Sequence, residues 1–198
     1  MEITASLVKE LREKTGLGMM DCKRALGETQ GDIDKAIEYL RKKGALKAEG
    51  KSDRVTSEGV VGSYIHLGGK VGVLVEINCE TDFVAKSDDF TSLIKDIAMH
   101  ITASKPRYVR KEDVSEDFIA KEKEIMMAQP DLEGKPDNLK EKIVSGRLEK
   151  IYSQVCLLEQ PFVKNPDQTI NDLIKEKIAK LGENITVKRF TRYALGEE

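Results

Sequence analysis

The spacing of apolar residues changes near Gly59, and this change limits the possible folds more than any other feature of the chain. Before it, apolar residues recur at helical spacing; after it, apolar and polar residues alternate through residues 59–77 around a Gly68-Gly69 turn. The alternation predicts a β-hairpin. A helical stripe follows it, formed by Phe90, Leu93, Ile94, Ile97, Ala98 and Ile101. With further helices and a late strand at 185–195, this order predicts an α+β fold with a small antiparallel sheet.

The first 44 residues predict three short helices. Leu7, Val8 and Leu11 mark the first, Met19 begins the second, and Gly44 is the expected C-cap of the third. Because three helices of this size bury only a marginal core, we expect a compact module that packs against a partner for stability.

The remaining domain boundaries follow from composition and helix signals. Residues 45–58 are polar and lack apolar periodicity, so they are interpreted as a linker. Residues 59–198 then form the core domain, in which helix signals on both sides of Pro130 and Pro136 predict a helical hairpin near 116–150.

Charge and cysteine content exclude several classes of protein. The chain has 33 Lys plus Arg against 35 Asp plus Glu, for a net charge of −2, so no general attraction to nucleic acid or an anionic membrane is expected. It has no apolar run of the ~18 residues that cross a membrane, and its first residues lack the basic start and apolar stretch of a secretory signal, so neither a membrane span nor a signal is expected. Cys22, Cys79 and Cys156 are widely spaced and lack a Cys-x-x-Cys pair. A cytoplasmic protein without disulfides or zinc is therefore expected, with all three cysteines buried or half-buried.

Catalytic chemistry has little support in the sequence. There is no phosphate-binding glycine loop and no nucleophile elbow. His100 lies beside the apolar stripe, where a structural role is expected. The chain is therefore expected not to be an enzyme and to carry no cofactor or metal.

Two adjacent methionines, Met19 and Met20, follow a glycine turn at the start of the second helix. Methionine is common on protein-binding surfaces because it is flexible and polarizable. Adjacent positions lie about 100° apart on a helix, so both cannot face one small core. The pair is either a binding surface, or a core Met19 beside an exposed Met20.

Residues 78–86 connect a strand to a helix, a position where exposed side chains often act. Asp82 and Phe83 could form a small wedge, with the ring entering an apolar slot of a partner and the carboxylate meeting an amide or disturbing a cation site. The alternative, which the residues alone favour, is a helix N-terminus with Asp82 on the helix dipole and Phe83 in the core.

Three parts of the chain resemble the bacterial elongation factor Ts family, and together they span almost its whole length. The first is residues 7–16 and 18–23 with Gly31-Asp32-Ile33; the second is Asn78-Cys79-Glu80-Thr81-Asp82-Phe83-Val84; the third is Gly146-Arg147, Gln160-Pro161-Phe162-Val163 and Arg189-Phe190. The resemblance implies a guanine-nucleotide exchange factor for elongation factor Tu, with a ubiquitin-associated-like helical module that docks on the GTPase.

The resemblance also implies roles for individual residues. Those matching the family's Mg²⁺-dislodging element are Thr81, Asp82, Phe83 and Val84, and the docking positions are Arg12, Met19, Met20, Lys23 and His66. The core is shorter than in long family members, and short members can pair two cores, so the resemblance is compatible with either a monomer or a homodimer.

Two other functions compete with nucleotide exchange. The helical module alone would fit a ubiquitin-type adaptor, although adaptor repeats are absent from the sequence. A translation accessory that binds RNA could use the basic, Tyr108-containing stretch 105–111, but Glu112 and Asp113 follow at once, which favours a solvated loop.

Overall fold

The fold begins with three helices that share one small core. A computed structural model describes residues 3–197, and its first helices are α1 (Ala5–Thr15), α2 (Met19–Glu28) and α3 (Ile33–Glu49). The side chains of Thr4 and Asp32 cap α1 and α3 by accepting backbone N–H groups, and Gly16 ends α1 in the left-handed conformation. The buried residues of this core are Val8, Leu11, Cys22, Ala25, Leu26, Ala36 and Leu40.

The third helix is longer than its sequence predicts. Gly44 is not the C-cap: α3 continues to Glu49, so the first part of the predicted linker is helical. Gly44 is buried, and a Cβ at this position would lie 3.1 Å from the Cβ of Ala179. The glycine therefore permits close helix packing, a role that local sequence cannot distinguish from a cap. The division at residues 44 and 58 remains a prediction.

A hairpin follows, as the alternating pattern predicts. Its strands are β1 (Glu58–Ile65) and β2 (Val71–Cys79), and a late strand, β5 (Ile185–Ala194), completes an antiparallel sheet in the order β1-β2-β5. Gly68 and Gly69 have φ values of 90° and 69°, which the turn requires and other residues rarely adopt.

The other elements lie between β2 and β5. In chain order they are α4 (Asp82–Ala85), α5 (Asp88–Ser104), α6 (Glu116–Met127), α7 (Asp137–Val155), β3 (Pro161–Phe162), β4 (Asn165–Thr169) and α8 (Ile170–Leu181). Helix α5 carries the predicted apolar stripe: Phe90, Leu93, Ile97, Ala98 and Ile101 are all fully buried. The α+β prediction is confirmed.

Helices α6 and α7 form a pair with a separate apolar cluster. Ser115 caps α6 by accepting the N–H of Phe118. The buried members of the cluster are Met126, Leu132, Val144 and Leu148, with Ile119, Ile143, Ile151 and Tyr152 packed around them.

The chain folds into two compact units. The first comprises the residues through Val60 together with Ile77–Leu93 and Asp172–Thr186. The second comprises Val61–Glu76, Ile94–Asn171 and the residues from Val187 onward. Within residues 3–197, no helix has the length and apolar character needed to cross a membrane.

His100 is a buried structural residue of the second unit, as its position beside the stripe predicts. The N–H of Val163 donates to its Nδ1 at 3.3 Å, so the proton of the neutral ring lies on Nε2, which donates to Oε1 of Gln160 at 2.9 Å. Burial lowers the pKa of His100.

Acid should therefore destabilise the protein through His100. Its folded-state pKa lies below the unfolded value of 6.5, so the unfolded state binds more protons once the pH falls below that value. We expect the contribution of His100 to the free energy of unfolding to be constant well above pH 6.5 and to decrease as the pH falls through that value, by at most about 1.4 kcal/mol per pH unit for one proton. Urea denaturation between pH 5 and pH 8 measures this slope. The variant His100→Gln should have a flatter profile between pH 5 and 6.5; an unchanged slope would assign the acid sensitivity to other groups.

Candidate partner-binding site

The predicted wedge is an exposed turn at the end of a buried strand. Strand β2 ends at Cys79, and Thr81 then caps the single-turn helix α4, its hydroxyl accepting the N–H of Val84 at 3.4 Å. The side chain of Phe83 is 86% exposed. The interpretation of Phe83 as a core residue is therefore wrong, and the short helix is anchored instead by Ala85, which is buried.

An ion pair accompanies the exposed ring. Lys86 donates to Oδ2 of Asp82 at 2.7 Å, one helical turn away. This hydrogen bond lowers the pKa of Asp82 and raises the pKa of Lys86. The turn thus presents an ionised carboxylate beside an uncovered aromatic ring, which suits a partner with an apolar slot and a nearby hydrogen-bond donor or cation.

Residues that the sequence did not single out hold this turn in place. Glu183 accepts two hydrogen bonds from Thr81: the backbone N–H lies 3.0 Å from Oε2, and the hydroxyl lies 2.6 Å from Oε1. In the opposite direction, Glu80 Oε1 accepts the backbone N–H of Asn184 at 2.6 Å. We call these four residues (Glu80, Thr81, Glu183 and Asn184) the carboxylate clasp.

The clasp is tied to the segment after α3 as well. Asn184 is 3% exposed, and its Nδ2 donates to the carbonyl oxygens of Ser52 and Arg54 at 3.1 and 2.9 Å. The guanidinium of Arg54 lies 3.5 Å from Glu80 Oε2. Buried polar groups with partners on several segments fix those segments relative to one another.

Cys79 supports the same turn and is not placed for reactivity. Its thiol is buried and donates to the carbonyl oxygen of Thr81 at 3.2 Å. Burial, and then the neighbouring Glu183, raise its pKa, which disfavours the thiolate. All three cysteines are buried, which confirms that part of the prediction, and burial raises the pKa of Cys156 to about 11.

The docking residues implied by the resemblance are all exposed. Met19 and Met20 are 56% and 70% exposed at the start of α2, so Met19 is not a core residue. Arg12 on α1 and Lys23 on α2 are exposed too. These four residues and residues 81–84 belong to the first compact unit. His66 belongs to the second unit; it is exposed, and its Nδ1 lies 3.3 Å from the hydroxyl of Tyr64.

Metal ions and nucleic acid find few available binding groups in the described part of the chain. Among residues 3–197, no group of three or more His, Cys, Asp or Glu side chains is placed to hold a metal ion. Most basic side chains of the stretch 105–111 form ion pairs with acids elsewhere in the same chain. Lys105 pairs with Glu197, Arg110 with Asp113, and Lys111 with Glu149.

Comparison with known proteins shows which family the chain belongs to. The family model described as Elongation factor TS matches residues 28–197. The protein named Elongation factor Ts from Carboxydothermus hydrogenoformans is 64% identical over 98% of this chain and 90% of its own length. The corresponding proteins of Desulforamulus reducens and Moorella thermoacetica are 62% and 60% identical, over 99% and 98% of this chain and 90% and 96% of their own lengths. The chain that carries the exposed Asp82-Phe83 turn therefore belongs to the elongation factor Ts family, whose members serve translation elongation.

Proposed function

We propose that the protein binds elongation factor Tu in its GDP-bound form and promotes release of the nucleotide. The observation that carries this proposal is Phe83, an aromatic side chain that is 86% exposed on a turn fixed by the clasp. Exposure of so large a ring is unfavourable in the free protein, and aromatic anchors of this kind dominate many protein interfaces.

The proposed mechanism needs contacts and no catalytic side chain. Arg12, Met19, Met20 and Lys23 dock the helical module on the GTPase, and His66 makes a further contact. Phe83 and Asp82 then enter between helices of the GTPase, with Thr81 and Val84 flanking them, and disturb the site where Mg²⁺ bridges the nucleotide phosphates. Loss of the metal or movement of the phosphate-binding loop weakens GDP binding, after which GTP can bind.

Thermodynamic linkage fixes how such a factor behaves. If the factor weakens the binding of GDP to the GTPase by a given ratio, GDP weakens the binding of the factor to the GTPase by the same ratio. The factor should therefore bind the nucleotide-free GTPase most tightly, and excess nucleotide should release it. We place this cycle in the cytoplasm, which agrees with three free, buried cysteines.

Release of fluorescent GDP from elongation factor Tu tests the proposal directly. We expect micromolar protein to accelerate release, and excess unlabelled GDP to dissociate the complex. A GTPase of another family serves as the control and should be unaffected. Unchanged GDP release from elongation factor Tu would overturn the proposal.

A homodimer is part of the proposal for the second unit. One face of its strands exposes the apolar side chains of Val61, Ile65, Leu74 and Tyr193, which are 64%, 66%, 50% and 70% exposed. An apolar face of this kind suits a self-complementary, two-fold contact. Sedimentation at rising protein concentration tests it.

Direct binding of nucleic acid is not proposed, because most basic side chains of the stretch 105–111 are paired with acids of the same chain.

A further inference from the structure

The turn that carries Phe83 should not be rigid by itself. Helix α4 has four residues, far fewer than an isolated helix needs to be stable in water. The ring of Phe83 does not stabilise the turn by packing against the protein, since this side chain is 86% exposed. The order of the turn must therefore come from outside residues 81–84.

The hydrogen bonds of Thr81 show where that order comes from. Its N–H and hydroxyl both donate to Glu183, its carbonyl oxygen accepts from the thiol of Cys79 at 3.2 Å and from the N–H of Ala85 at 3.2 Å, and its hydroxyl also accepts from Val84. Every polar group of this one residue is thus engaged. Glu183 is the partner that binds two of them from a distant part of the chain.

We infer that Glu183 and Glu80 are positioning residues, which hold the Phe83 turn in its binding conformation before the partner arrives. This inference rests on the proposed function. A turn that is ordered in advance loses less conformational entropy on binding, so it binds more tightly without any additional contact. Glu183 acts on Thr81 directly, while Glu80 fixes Asn184 and thereby the loop from which Glu183 projects.

The variant Glu183→Ala removes both acceptors of Thr81. We expect the protein concentration that gives half-maximal GDP release to rise about tenfold, the effect of losing one charge-assisted hydrogen bond. Glu183→Gln keeps one acceptor oxygen and should have an intermediate effect. Glu176→Ala is the matched control, because Glu176 is an exposed glutamate of α8 and its removal should change nothing.

A double-mutant cycle separates positioning from general damage to the fold. If Glu183 acts through presentation of Phe83, then Glu183→Ala should cost less than about twofold when Phe83 is already alanine. An equal loss in both backgrounds would overturn the inference, as would full activity of the single variant Glu183→Ala.

Amide hydrogen exchange gives a readout that does not depend on the GTPase. In the free protein, Glu183→Ala should speed exchange at Thr81 and Val84 about tenfold or more, with protection of α5 unchanged. If Glu183→Ala leaves the hydrogen-exchange protection of the turn unchanged, the inference is overturned, even if the wild-type protein promotes GDP release. If the wild-type protein fails to release GDP, the proposed function falls, and hydrogen exchange still decides whether Glu183 orders the turn.

Discussion

Replacement of Phe83 by alanine should slow factor-promoted GDP release by about thirtyfold or more at low factor concentration. Truncation of a central aromatic anchor commonly costs 2 kcal/mol or more of binding free energy, about thirtyfold in affinity. The same change should alter the free energy of unfolding by less than about 0.5 kcal/mol, because the ring is 86% exposed. Stopped-flow GDP release and thermal denaturation measure the two effects separately.

Two further variants make this result specific. Ile125→Ala truncates another exposed apolar side chain, on α6, and should preserve both activity and stability. Phe90→Ala removes a fully buried ring and should cost about 3–5 kcal/mol of stability. If Phe83→Ala resembled Phe90→Ala by lowering the melting temperature strongly, or if it retained full exchange activity, the role assigned to the exposed ring would be wrong.

The second large effect concerns Asp82 and magnesium. If the carboxylate helps to unsettle Mg²⁺ in the GTPase, the acceleration of GDP release should be greater in millimolar Mg²⁺ than in chelator, because part of the factor's advantage disappears with the metal. Asp82→Asn keeps the shape and removes the charge. Loss of a charge-assisted hydrogen bond in the complex should lower exchange about ten- to hundredfold in the presence of Mg²⁺.

The fold should tolerate this substitution. The pair between Asp82 and Lys86 is exposed, and exposed pairs contribute little to stability. Asp88→Asn is a matched control, since it neutralises another exposed acid in the first turn of α5. Equal acceleration with and without Mg²⁺, together with normal activity of Asp82→Asn, would contradict metal displacement and leave a shift of the phosphate loop as the mechanism.

Local patterns in the sequence predicted the elements whose causes are local. The Gly68-Gly69 turn and the apolar stripe from Phe90 to Ile101 each depend on residues close together in the chain, and each appears where expected. The prediction of Gly44 as a C-cap is wrong because the residue that it packs against, Ala179, lies far along the sequence.

In the candidate site, too, contacts between residues far apart in the sequence could not be predicted from local patterns. The residues alone favour a core position for Phe83, since an apolar ring near a helix start is usually buried, and only the family resemblance implies an exposed role. Glu183 and Asn184 follow the glycine that ends α8, so a loop could be expected there, but no periodicity connects them to Thr81 and Glu80. Hydrogen bonds across such separations are a property of the completed fold.

The residues of the carboxylate clasp lie far apart in the sequence, and this separation sets the order in which parts of the protein can fold during synthesis. Thr81 and Glu183 are separated by 102 positions, and synthesis proceeds from the N-terminus. A nascent chain that has already emerged through residue 84 therefore lacks the acceptor of two Thr81 hydrogen bonds until residue 183 has been added. Contacts between such distant positions also form slowly, because a long loop must close first. A nascent chain can thus form its N-terminal helices early, but it completes the surface around Phe83 only after Glu183 has been synthesised.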